Sequence, residues 1–295
     1  MLRFYNLPIK AFIISTADGY KKGKALPFHR VAFNTIRFSG MKYAQYELAF
    51  SLFGEIIKYG IDFLFYLGLT KNRLYSFSQL AKQYSVRRYK TPYFSNHRTV
   101  DWLAAHRINS GISAFNNQIF GSNILTYFKG KPFLNLHPGL LPNFKGVEPI
   151  VPLFLSQQKY AGVSLHEITK RIDGGQVVLQ HRFRIQDGDT VFSLNQKSWQ
   201  YGIALFNHWI NHFTQESERP QLDSLNPDLD YFGFPDKTSI DQMFKMNRCL
   251  FKWNEVCGLL TLDLKSQRFY DMQTAAPKPT SSNEDNTLSI DNRTA

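Results

Sequence analysis

The run Phe133-Leu-Asn-Leu-His-Pro-Gly-Leu-Leu-Pro142 constrains this chain more than any other segment. Alternate residues of an extended strand point to one face, so Asn135 and His137 share a side; Pro138, with no amide hydrogen to give, then ends the strand. An amide and an imidazole therefore stand together at a strand's end. The amide can donate to a developing oxyanion, and the imidazole can carry a proton near neutral pH. A carboxylate, Asp173 in Arg171-Ile-Asp-Gly-Gly175, follows 36 residues after the histidine. Its two glycines permit a sharp turn that can swing Asp173 toward the strand that bears His137. Asn and His beside a proline are also common in ordinary turns, so the short motif needs its context.

That context is an α/β pattern. Residues 100–108 read as a helix, 112–115 as a buried strand, 116–120 as the loop beyond its end, and 133–136 as the next strand. The motif then lies at the carboxyl edge of a sheet, where open α/β folds bind ligands. Residues 163–168 and 177–185 alternate as a strand pair around the loop carrying Asp173. Asp189-Thr190 can cap a helix running from Val191 to about Phe213. Upstream, residues 11–15 read as the first strand, and the stretch around Arg87-Arg-Tyr-Lys90 as a polar, basic connector. Beyond Pro220 the composition shifts, Tyr231-Phe-Gly-Phe-Pro-Asp236 leading into a short helix near 240–246. From about Gln273 the chain is rich in Pro, Ser, Thr and Asn without aromatics, and is expected to be disordered.

At 43% hydrophobic and 15% aromatic residues, 295 residues supply ample core for a globular protein. Cys249 and Cys257 alone give no support to a disulfide framework or zinc site and fit a reducing compartment. The only early apolar run is too short for a signal-peptide core, so a cytoplasmic location is expected. The net charge of +12 is confined to the first third: residues 1–100 hold 16 Lys and Arg against 4 Asp and Glu, and the remainder 19 of each. Such a region can hold an anionic substrate, touch RNA or an anionic membrane, or simply be a solvated face. In residues 46–67, Glu47, Ser51, Glu55, Lys58 and Asp62 recur at helical spacing on one stripe. Ionised groups at mid-span cost about 2.5–3.5 kcal/mol each, which argues against a membrane span. The reading is a helix buried around most of its circumference, with peripheral membrane contact as the alternative.

The segments Asn135-Leu-His-Pro-Gly-Leu-Leu-Pro-Asn-Phe-Lys-Gly146, Gly162-Val-Ser-Leu-His166 and Ile172-Asp-Gly-Gly-Gln-Val-Val-Leu-Gln180 together resemble the formyltransferase family that uses 10-formyltetrahydrofolate. That family includes glycinamide ribonucleotide formyltransferase, methionyl-tRNA formyltransferase and the sugar N-formyltransferases, and the chain is most similar in style to the last. The resemblance implies a Rossmann-like formyltransferase fold, with a mostly parallel sheet flanked by helices and a short C-terminal appendage. It implies catalytic roles for Asn135, His137 and Asp173, a pterin site at Asn117, Gln118, Ile119 and Phe120, 10-formyltetrahydrofolate as the formyl donor, and no metal. Gly139 stands where many members have Ser, and Lys145 where many have Arg.

The expected organisation is a divergent basic part of the α/β domain at 1–98, a catalytic core at 99–215, a small appendage at 216–272 and a disordered tail at 273–295. The implied activity is N-formylation of a small, anionic amine, an amino sugar or nucleotide-linked amino sugar. Two alternatives stand beside it: a methionyl-tRNA formyltransferase, and a non-catalytic or membrane-associated relative. The transfer RNA enzyme, and with it a nucleic-acid partner, is disfavoured because about 60 residues after the core show no convincing series of strands for its barrel. A glycine-rich phosphate cradle after the first strand is missing, Asp18-Gly-Tyr-Lys-Lys-Gly23 being a weak substitute, which counts against the purine-pathway enzyme. His166 is read as a satisfied strand histidine, and His208 and His212 as helix-surface groups rather than a metal pair. The sequence is silent on oligomeric state.

Overall fold

The computed structural model describes residues 9–16, 19–21, 24–68, 75–114, 116, 118–212 and 231–258. In chain order it runs through β1 (Ala11–Ser15), β2 (Gly19–Lys21), β3 (Lys24–Leu26), α1 (Phe28–Tyr66), α2 (Phe77–Gln83), β4 (Arg87–Thr91) and α3 (His97–Ala105). There follow β5 (Gly111–Ser113), α4 (Ser122–Tyr127), β6 (Phe133–His137), β7 (Lys145–Gly146), α5 (Ile150–Leu155), β8 (Tyr160–Glu167) and β9 (Val177–Arg184). The last elements are α6 (Val191–His212), β10 (Tyr231–Phe232), α7 (Lys237–Lys245) and α8 (Trp253–Gly258). This is the expected α/β class. Strands β1 and β4 pair in parallel, as do β5 and β6, and β6 then meets the antiparallel pair β8 and β9.

Alternation along β6 decides where the chemistry lies. Leu134 and Leu136 are buried with Val163 and Leu165 of β8 against Leu205 of α6. Because successive side chains take opposite faces of a strand, Asn135 and His137 face away from that apolar layer. The helix covering the layer starts where the sequence indicated. Thr190 Oγ1 accepts from the Ser193 amide at 3.0 Å, the Ser193 hydroxyl accepts from the Thr190 amide at 2.9 Å, and Asp189 is held by Lys197 at 2.6 Å. A second apolar cluster joins Tyr43 and Tyr46 of α1, Ile150, Leu153 and Phe154 of α5, and Ile240 and Met243 of α7.

Three expectations are corrected. The basic stretch at 87–90 is strand β4, not a connector; its arginines are exposed while Thr91 is buried, so an edge of charged side chains concealed the strand pattern. The helix expected at 46–67 begins at Phe28 and bends at Gly40, whose φ of 84° is open to glycine and costly for other residues. Nor are the described side chains of 46–67 buried on most sides: Tyr46 and Ala49 are enclosed, whereas Leu48, Tyr59, Phe63 and Tyr66 are exposed. Apolar composition is a one-way guide to burial, since much of a folded protein's accessible surface is apolar. Among the described residues no helix is long and apolar enough to cross a membrane. The expected tail at 273–295 and, of the expected appendage, residues 216–230 and 259–272 lie outside the described residues.

Glu148 sits at the junction between α1 and the core. Burial raises its carboxyl to about 7 against the opposing hydrogen bond from the Ile150 amide, and the nearby Glu47 adds to the rise. An acid whose folded pKa exceeds its unfolded value binds more protons folded than unfolded between the two, so stability falls as pH climbs from about 4.3 to 7. Glu148→Gln removes this slope. Relative to the parent, the variant is expected to gain on the order of 3 kcal/mol between pH 4.5 and pH 8 in urea denaturation, and parallel pH profiles would contradict the assignment.

Candidate active site

Four elements converge on Asp173. Strand β6 brings Asn135 and His137, β8 brings His166 alongside Asn135 in register, and the turn between β8 and β9 brings Asp173. Asp173 Oδ2 lies 3.6 Å from His137 Nδ1 and accepts the Gly146 amide of β7 at 2.8 Å; Oδ1 lies 3.5 Å from His166 Nε2. Asn135 Nδ2 is 3.1 Å from the same His166 nitrogen. The structure thus brings the three residues singled out from the sequence to one point.

Local backbone makes the approach feasible. Asp173 adopts a φ of 46°, a left-handed conformation in which Asp is among the better tolerated residues. At Gly175 an added Cβ would lie 1.9 Å from the Glu167 carbonyl oxygen, so only glycine allows the turn to press against β8. The loop after His137 is equally fixed. Ser164 Oγ donates to the Gly139 carbonyl at 2.6 Å and accepts the Leu141 amide at 3.1 Å, while Gln180 Nε2 donates to Ser164 Oγ at 2.8 Å and to the Leu141 carbonyl at 2.9 Å. The Leu141–Pro142 peptide bond is cis. At Gly139 an added Cβ would stand 2.9 Å from His137 Nε2. Its absence leaves that nitrogen free to donate to the Phe144 carbonyl at 2.7 Å.

Electrostatically the site is a carboxylate enclosed by two imidazoles. Burial alone would raise the Asp173 carboxyl, but hydrogen bonding from His166, the charges of the two imidazoles and the Gly146 amide outweigh it, leaving the group below its ordinary range. His137 is lowered chiefly by burial, against the pull of Asp173 and the Phe144 carbonyl. Tyr231 reaches the site from β10, which pairs with β7; burial and the Asp173 charge both raise its phenol.

Two residues near the carboxylate lie outside the sequence expectation: His166, expected as a satisfied strand histidine, and Tyr231. Strand alternation from Asn135 to its cross-strand partner could have found the first. The second depends on the pairing of β7 with β10, a contact between segments 86 residues apart in the chain.

The proposed pterin residues separate. The Gln118 amide is consumed by the scaffold, accepting from the Phe94 amide at 3.0 Å and donating to Ser15 Oγ at 2.9 Å and the Pro92 carbonyl at 3.0 Å. Phe120 packs on Phe133 with ring centroids 4.9 Å apart, whereas Ile119 is exposed. Asn117 lies outside the described residues.

With this geometry in view, comparison with known proteins finds that residues 71–208 match the model of the formyl transferase family. Over 125 residues the chain is 30% identical to the bifunctional polymyxin resistance protein ArnA of Wigglesworthia glossinidia brevipalpis, covering 41% of this chain and 19% of that protein. It is 27% identical over 127 residues to the phosphoribosylglycinamide formyltransferase of Bacillus subtilis (strain 168), covering 43% of this chain and 60% of the relative. The chain therefore spans only part of the length of both curated relatives. Among solved structures, the sugar N-formyltransferase from Shewanella sp FDAARGOS_354 aligns with 52% of this chain and 59% of its own, at 20% identity and a TM-score of 0.41.

The pH dependence of stability follows from His137. A histidine whose folded pKa lies below its unfolded value takes up its proton preferentially in the unfolded chain, so stability is lost as pH falls below about 6.5. In His137→Asn this loss is expected to vanish between pH 6.5 and 5, the opposing slope of Glu148 being common to both proteins. Urea denaturation across that range tests it, and an unchanged difference between parent and variant would show that His137 is not buried in its neutral form.

Proposed function

We propose that the site transfers a formyl group from 10-formyltetrahydrofolate to the primary amine of an amino sugar or nucleotide-linked amino sugar. The observation that carries this reading is the meeting of Asn135, His137 and Asp173 at one sheet edge, within a formyl transferase segment. The acceptor nitrogen attacks the formyl carbon, a C–N bond forms, and the carbonyl π pair moves to oxygen. Collapse of that tetrahedral oxyanion breaks the bond to the folate N10, and the proton lost by the amine ends on N10. No covalent bond to the protein is needed. Asn135 supplies an N–H to the oxyanion, His137 handles the proton, and Asp173 orients and electrostatically supports His137.

The surroundings suit such substrates. Ile172 and Val147, next in the chain to Asp173 and Gly146, are exposed apolar groups against which a planar pterin would lie. Since the Gln118 side chain is spent, the 117–120 segment would recognise the pterin through its backbone and Ile119. The basic part at 1–98 would hold an anionic acceptor, beside a core at 99–215 and an appendage at 216–272. A diphosphate is compact enough for such a patch, whereas transfer RNA needs an extended one.

The experiment is a mass-shift assay with 10-formyltetrahydrofolate and a pool of amines that includes nucleotide-linked 3-amino and 4-amino sugars and methionyl-tRNA. A gain of one formyl group on an amino sugar is expected. Asn135→Ala, His137→Ala and Asp173→Ala are each expected to lower transfer by roughly a hundredfold or more without unfolding the chain. A stable 5-formyl folate at 100 times its dissociation constant is expected to add about 2.7 kcal/mol of stability. Formylation of methionyl-tRNA at physiological salt would move the acceptor to that class, and no thermal response at millimolar folate would remove the donor.

A further inference from the structure

More than half of the large apolar side chains exposed among the described residues lie on α1, outside the site gathered at Asp173. An α-helix turns about 100° per residue, so steps of seven, eleven, four and three keep Met41, Leu48, Tyr59, Phe63 and Tyr66 within about 60° of one another. All five are exposed, on the side of the helix away from the buried Tyr43. Glu47 and Asp62 fall outside that arc. Ahead of the bend at Gly40, Phe33 and Ile36 share a second exposed face, and Arg30 and Arg37, also exposed, line one edge of it. Single exposed apolar residues need no explanation, but a stripe about 37 Å long marks an interaction surface.

Charge supplies the sign of the partner. Residues 67–100, which follow the stripe, hold seven Lys and Arg and no Asp or Glu, and of these Lys82, Arg87, Arg88, Lys90 and Arg98 are exposed. A second copy of the chain would bring the same excess of cations to the contact and be repelled by it. Anionic lipid headgroups attract such a region, while tyrosine and phenylalanine side chains settle at the boundary between headgroup and hydrocarbon. Among the described residues no helix is long and apolar enough to cross a membrane, so the fit is to a helix lying in the plane of the bilayer surface. We propose that α1 is a docking surface for an anionic lipid bilayer, its outward stripe entering the headgroup layer while Tyr43 and Tyr46 fix the other side to the core. Arginines beside Phe33 and the basic residues after the helix hold the same surface by charge. The docking is separate from the formyl-transfer reading and stands without it.

Flotation of the full chain with lipid vesicles tests this without substrate. The parent is expected to float with vesicles of phosphatidylcholine and phosphatidylglycerol in equal parts, and to bind pure phosphatidylcholine at least about tenfold more weakly. Phe63→Ser/Tyr66→Ser is expected to weaken binding to the mixed vesicles at least about tenfold with an unchanged thermal midpoint, since both side chains are exposed in the folded chain. Arg30→Gln/Arg37→Gln is expected to weaken it with a shallower response to salt between about 50 and 500 mM. No flotation of the parent with mixed vesicles, equal affinity for the two kinds of vesicle, or a Phe63→Ser/Tyr66→Ser protein that binds as the parent does would each overturn the proposal. Two further measurements name the occupant in that event. A dimer in sedimentation velocity that Phe63→Ser/Tyr66→Ser dissolves would assign the stripe to a second copy, and slow hydrogen exchange over 59–66 in a free monomer would assign it to another part of this chain.

Discussion

The carboxylate of Asp173 is the tie on which the site depends. It accepts the Gly146 amide of β7 and faces imidazoles from β6 and β8, so three strands are referred to one group. A buried carboxylate is expensive unless its oxygens are satisfied, and here each oxygen has polar company. The same tie is why the loop must press so closely on β8 at Gly175. Removing the charge would leave two imidazoles, whose outer nitrogens are committed to backbone carbonyls, without the group they face.

A second layer holds the first in place. Ser164 and Gln180 are register partners on β8 and β9, and together they bind the backbone of the loop after His137 at Gly139 and Leu141. Gln118 does the same on the other flank, joining β1, the segment after β4 and its own loop. These amides and hydroxyls are spent on backbone and on one another. They hold irregular backbone at the sheet edge to a fixed geometry, which matters because small misplacements of catalytic groups are costly in rate.

The attachment of the N-terminal third follows different physics. Its long helix is fixed to the core by aromatic burial at Tyr43 and Tyr46 around Glu148, an acid whose burial raises its carboxyl to about 7, rather than by hydrogen-bonded strands. Much of the apolar surface of that helix stays exposed. The segment that matches the formyl transferase model and this helical part thus meet at a titratable group, Glu148, two residues beyond Gly146, which is itself bonded to Asp173.

The sequence by itself determined the strand that presents Asn135 and His137, because a period of two followed by proline leaves little freedom, and it determined the helix cap at Thr190, because capping is local. It also selected Asp173, whose two glycines announced a turn. Tertiary structure decided the rest. That β4 is a strand depends on its pairing with β1, since its own side chains are charged and exposed. That His166 belongs to the site depends on cross-strand register, and that Tyr231 reaches it depends on the distant pairing of β7 with β10. The resemblance implies a pterin segment that includes Gln118, whose side-chain amide bonds to scaffold, because which way a loop amide points is set by the neighbours the fold supplies. Local periodicity fixes which side chains share a face; only packing fixes what that face meets.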